Sequence, residues 1–262
     1  MLFKNKDKQL FNDLMEYIRQ KENDFSKNEL RRIYFHLIGF CHLLENISEE
    51  AKEIEYYYEL ELSLYKYLID SECLFKGESD AHLSYHNIVN ACLMLKQYDF
   101  TREFILSFKS KLPPAKQEFH YNRELAKLLR REKKYAEAIK LLRPLSSNNL
   151  FIELDIRQSL LGLYFLNHQL EELEYFHAAF KNYLFRKKNM LPNYYFDLLN
   201  NYLIFIKRIF FFKLQLKLYD NNEYKQLFDK LYQQIQDTTP ILHKDWLIRQ
   251  LELIARERPV NE

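Results

Sequence analysis

The chain has 262 residues, 47% hydrophobic and 29% charged, a balance that excludes an intrinsically disordered chain and leaves enough apolar mass for a sizeable core. Gly and Pro together number 9, Val occurs only at 89 and 260 and Thr only at 101, 238 and 239, so turn chemistry and β-branched residues are both too scarce for a strand-rich fold. The formal net charge is only +2 but is unevenly spread, with 11 Lys/Arg against 17 Asp/Glu in residues 1 to 80 and 28 against 20 in the remainder.

The start, MLFKNKDKQLFNDL, lacks an uninterrupted apolar segment and a small-residue cleavage site, so no secretory signal is expected. Apolar periodicity then predicts helices over 6–22, 27–46, 49–70, 80–96, 99–110, 114–132, 135–143, 150–167, 169–187, 191–218, 222–236 and 241–257. Ser26-Lys27-Asn28-Glu29 reads as a capping box. Ser48, Ser79-Asp80 and Asp99 precede or open further helical runs. All six prolines, at 113, 114, 144, 192, 240 and 259, fall where a helical pattern starts or stops. Short connections predict antiparallel neighbours. Cys41, Cys73 and Cys92 are odd in number and widely spaced with no C-x-x-C, which argues for reduced core thiols and a cytoplasmic location rather than a disulfide framework or a zinc knuckle.

The chain also repeats itself. Sliding it by 37 residues lays NIVNACLMLKQYDFTREFI (87–105) onto ELAKLLRREKKYAEAIKLL (124–142), with Tyr98 on Tyr135, and a slide of 35 or 36 reaches SLLGLYFLNHQLEELEYF (159–176). The middle copy, Leu125-Ala126-x2-Leu129 followed by Tyr135-x2-Ala138-x3-Leu142, resembles the tetratricopeptide (TPR) repeat, a 34-residue pair of antiparallel helices. In the third copy Leu161-Gly162-x2-Phe165 matches the first group, and Leu170-x2-Leu173 arrives one residue early, which implies a shorter loop. In the first copy Val89 replaces the small residue and Thr101 the alanine, while Pro113 falls where the family's terminal proline belongs. The resemblance spans residues 80 to 187. It implies an all-α, right-handed α-solenoid of about twelve helices in one domain over 1–262: divergent acidic helices over 1–79, TPR-like hairpins over 80–187, and basic, aromatic-rich helices over 190–257. It further implies a groove lined by the first helix of each hairpin, with Asn122, Arg123, Lys127 and Arg130 in the middle copy.

The stretch YYFDLLNNYLIFIKRIFFF, residues 194 to 212, is nearly apolar enough to suggest a membrane span. On a helix, however, Asp197, Asn200, Asn201, Lys207 and Arg208 share one arc, so it reads as a buried helix touched on several sides. Ile204 and Phe211 project within that polar arc, so Asn200, Asn201, Ile204, Lys207, Arg208 and Phe211 are candidate partner-binding residues. Residues 181 to 217 hold eight bases (Lys181, Arg186, Lys187, Lys188, Lys207, Arg208, Lys213 and Lys217) against one acid, Asp197. EEAKEIEYYYELE (49–61) is the acidic counterpart.

Chemistry is conspicuous by its absence from this sequence. With glycine only at 39, 77 and 162 there is no P-loop, no G-x-G-x-x-G and no nucleophile elbow, and no H-E-x-x-H occurs. His82 and His86, one turn apart with Asp80 at the cap, have metal-like spacing but read better as ordinary partly exposed histidines. His168 and His177 have no placed nucleophile or carboxylate. Catalytic, cofactor and metal sites are therefore not expected. The leading expectation is a non-catalytic helical-repeat adaptor for a protein or acidic peptide. The alternative is RNA or single-stranded DNA bound on the basic 181–217 region, and a third reading is self-association through the charge dipole.

Overall fold

A computed structural model describes residues 8–48, 50–75, 81–215 and 220–256. Twelve α-helices carry the described chain: α1 (Lys8–Gln20), α2 (Lys27–Ile47), α3 (Ala51–Asp70), α4 (Ala81–Met94), α5 (Tyr98–Ser107), α6 (Gln117–Arg131), α7 (Tyr135–Leu142), α8 (Leu150–Leu166), α9 (Leu170–Arg186), α10 (Asn193–Leu214), α11 (Asn221–Asp237) and α12 (Lys244–Arg256). No strand occurs among the described residues. The chain divides into two compact units, Met1–Leu145 and Ser146–Glu262; the division falls inside the 80–187 stretch that the sequence groups as three hairpins.

Local chemistry explains where the helices begin. Ser26 and Glu29 form the reciprocal capping box of α2, and Asp220 and Glu223 form a second one at α11. Asn149 Oδ1 accepts from the backbone N–H groups of Phe151 and Ile152 to open α8. Two sequence assignments change. Ser48 closes α2 instead of opening α3, whose N-cap is Glu50, and Asp99 sits in the first turn of α5 behind the N-cap Gln97. Ser79 and Asp80 lie outside the described residues, as does Pro259.

In the first unit α2 to α7 pack in succession, and α4 also meets α6. One core runs through it from Phe11 and Phe40, stacked at 5.2 Å, to Tyr85, Phe104 and Leu128. Tyr85 donates its hydroxyl to the Ile105 carbonyl at 2.8 Å, which satisfies the single polar atom of a fully buried ring. In the second unit α8 packs on α9, α9 on α10, and α12 on both α10 and α11.

The three hairpins α4–α5, α6–α7 and α8–α9 turn in the same way. Their loops are residues 95–97, 132–134 and 167–169, with Lys96, Lys133 and His168 in the left-handed region at φ 57°, 62° and 55°. Each of these residues donates its N–H three positions back, to Leu93, Arg130 and Phe165. The following residue donates five back, to Cys92, Leu129 and Tyr164. That pair of bonds is a Schellman closure. The spacing is 37 and then 35 residues throughout, so the third loop is not shorter. Aligned on the turns, Leu160-Leu161-x2-Tyr164 corresponds to Leu125-Ala126-x2-Leu129 of the middle copy, with Gly162 one position beyond the place of Ala126. Leu161 and Leu173 are buried where the middle hairpin has Ala126 and Ala138. The turn is set by where the helix leaves the core, and the small residue does not mark that point.

Candidate functional site

The candidate residues of the middle hairpin lie along a polar seam between α4 and α6. His82 stacks on His120 at 4.9 Å between ring centroids. One turn on, His86 Nδ1 lies 2.9 Å from Glu124 Oε1 and the Asn90 amide lies 2.9 Å from His86 Nε2. The Lys127 ammonium reaches Glu124 Oε2 at 2.9 Å and Asn90 Oδ1 at 3.1 Å. The arrangement that satisfies most groups has His86 Nδ1–H donating to Glu124, Nε2 accepting from Asn90, and Lys127 donating to Asn90 while forming an ion pair with Glu124. Burial alone would push the Glu124 carboxyl up, but Lys127, His86 and Arg123 together hold it well below the usual carboxylate range. Burial, with His82 and Arg123 nearby, pushes His120 down to about 4.

Of the four residues proposed here, Lys127 is therefore engaged within the fold. Arg123 lies 4.0 Å from Glu124 with its side chain only 13% exposed, and Arg130 also has a partner within the fold. Asn122 is half-buried. His82 and His86 do not converge on a common metal position, because one is stacked and the other is bonded to Glu124; Asp80 lies outside the described residues.

The second candidate surface is α10, whose residues Phe196, Leu199, Tyr202, Leu203, Phe205, Ile206, Ile209, Phe210 and Phe212 are buried. Most of the aromatic surface of 194–212 is therefore core. The polar arc divides in two. Asn201 donates to the Pro240 carbonyl at 2.7 Å and Arg208 donates to Gln234 of α11, so the C-terminal helices cover that side. Ile204, Phe211 and Leu214 stay 41%, 36% and 46% exposed, and Lys207 is exposed between them with its ammonium 5.4 Å from the Phe211 ring. Asn200 is half-buried. The positions i, i+3, i+7 and i+10 make this a single stripe along one face.

A shallow depression beside the stripe is lined by Leu173, Glu174, His177, Ile206, Lys207 and Phe210. His177 Nε2–H donates to the Leu203 carbonyl at 2.8 Å, tying α9 to α10. Burial lowers the pKa of this histidine, with Lys207 and Lys181 adding to the effect. Lys181, Arg186 and Lys188 are exposed nearby in sequence; Lys217 lies outside the described residues.

Sequence reasoning missed a third group, at the α2–α3 interface. His42 Nε2 lies 2.7 Å from Glu61 Oε1, and Glu45 follows His42 one turn along α2. The donor atoms of the three residues all lie within 4.8 Å of one another. Burial and the facing Glu61 push the Glu45 carboxyl up to about 8. The signal available was His-x-x-Glu on one helical face; its partner, on the next helix, could be found only once α2 and α3 were packed.

Comparisons with protein-family models, with curated proteins and with solved structures found no match to this chain. No helix among the described residues is long and apolar enough to cross a membrane.

Proposed function

We propose that the protein is a non-catalytic adaptor of the tetratricopeptide-like helical-repeat class, its hairpins stacked as a right-handed α-solenoid, and that it binds an acidic, amphipathic segment of a partner protein. The observation that carries this reading is the α10 stripe, where Ile204, Phe211 and Leu214 are left exposed around Lys207. Large apolar side chains at helical spacing offer anchors for the apolar face of a peptide helix, and a lysine set among them favours acidic flanks. The recurring turn at Lys96, Lys133 and His168 supports the repeat class. The binding role rests on α10 rather than on Arg123 and Lys127, which serve the α4–α6 seam.

Peptide selection on the immobilised protein, with counter-selection on the Ile204→Ser/Lys207→Glu/Phe211→Ser variant, tests this directly. The expected result is enrichment of sequences with Leu or Phe three to four residues apart, flanked by Asp or Glu, that bind wild type and not the variant. Enrichment that is equal on both proteins sinks the reading. Nucleic acid is the competing occupant, since Phe185 and Tyr194 are also exposed among bases. Labelled single-stranded RNA whose binding falls steeply with added salt, and is lost in the variant, would replace the peptide reading.

A further inference from the structure

We propose that His42, Glu45 and Glu61 bind one first-row divalent transition metal ion, of the zinc or manganese kind. The inference is independent of the α10 surface and rests on the α2–α3 interface alone. His42 and Glu45 are three residues apart on α2 and therefore share a face. Glu61 comes across from α3 and is 1% exposed. Ligands bound at about 2.0–2.2 Å around one tetrahedral ion stand roughly 3.3 Å apart. The three donor atoms, none more than 4.8 Å from another, meet that spacing with small side-chain adjustments.

Two observations leave room for a cation among these groups. Glu45 Oε1 is inaccessible to solvent and has no hydrogen-bond partner, although the carboxyl as a whole faces Glu61, and an oxygen so placed can be satisfied by a water or an ion. Among the described residues no lysine or arginine forms an ion pair with Glu45 or Glu61, so His42 is the base set against two carboxyl groups. The donor set, one imidazole nitrogen and two carboxylate oxygens, suits zinc, manganese or iron(II) better than the all-oxygen shells of calcium and magnesium. Three protein donors leave at least one position for water. The His42 side chain is 34% exposed, which opens the site to solvent on that side.

The test uses the full-length protein, stripped with a chelator and titrated with Zn2+ by calorimetry. The expected result is one ion per chain, with binding weakened about tenfold or more in both Glu45→Gln and His42→Gln. In parallel, Mn2+ added to wild type should broaden the ring resonances of His42 before those of the other histidines, eight being present in all. That readout needs no variant, so it decides the matter even where a substitution unfolds the protein. Absence of saturable Zn2+ uptake, uptake unchanged in both folded variants, or broadening centred on another histidine would overturn the site.

Discussion

At the scale of single residues, the α4–α6 seam shows how buried charge is made tolerable. Glu124 is 1% exposed and survives as a carboxylate because Lys127, His86 and Arg123 surround it. Removing the charge from one side of such a group leaves the others uncompensated, so Glu124→Gln should lower stability by about 3 kcal/mol in urea denaturation; a change below about 1 kcal/mol would show that solvent already screens the seam. His120 gives the seam a pH dependence. It is held near 4, whereas an unfolded histidine titrates near 6.5. Between those values the unfolded chain takes up a proton that the folded chain refuses, so this contribution is whole above about pH 6.5 and declines as the pH falls towards 4. Glu124 acts in the same direction at more acid pH, because its carboxyl is held low in the fold. His120→Phe should flatten the decline between pH 6.5 and 4 in urea midpoints, and an unaltered slope would assign the acid sensitivity elsewhere.

At the scale of elements, the hairpin turn is the recurring device. A chain with three glycines spends side-chain residues on left-handed positions, and Lys96, Lys133 and His168 carry the associated strain. Lys133→Gly should therefore raise stability by about 0.5–1 kcal/mol, where the same change in mid-helix would lower it; a loss at Lys133 would mean that the lysine side chain outweighs the backbone strain. The α6–α7 contact depends on size. Ala138 is fully buried, and Ala138→Leu should cost about 1–3 kcal/mol by forcing the two helices apart. The recurrence of the first two turns was legible in the sequence as the offset of 37. The third copy was placed one residue out of phase, because Gly162 imitates the small residue of the pattern while the turn follows Tyr164 and His168. A pattern match scores residue types, whereas the loop closes on the carbonyls that the helix end leaves free.

At the scale of the whole molecule, the division at Leu145 and Ser146 changes the reading of charge. Residues 1–145 carry 24 Lys/Arg against 23 Asp/Glu and residues 146–262 carry 15 against 14, so each unit is nearly neutral. The end-to-end dipole seen in the sequence arises from cutting the chain at residue 80, inside the first unit. Local bias remains, in the bases of 181–217 and the acids of 49–61. Each unit has apolar residues of its own in quantity, from Phe11 to Leu142 in one and from Leu154 to Ile254 in the other. Fragments 1–145 and 146–262 should accordingly each show a cooperative helical melt by circular dichroism; a fragment that stays unfolded would make the two units one folding unit.

What the sequence determined by itself is the helical class, the number of helices among the described residues, most of their limits and the burial of the aromatic stretch on α10. These follow from composition and from a 3.6-residue period, both properties of contiguous chain. What only the tertiary structure decided is which polar residues are already engaged. Lys127 and Arg208 looked equivalent to Lys207 in sequence, yet the first is bound to Glu124 and the second to Gln234, while Lys207 stands exposed between Ile204 and Phe211. His42, Glu45 and Glu61 show the converse, a convergence across two helices that no spacing along one of them reveals. Pairing is settled by distances between residues remote in the chain, and those distances exist only once the helices have packed.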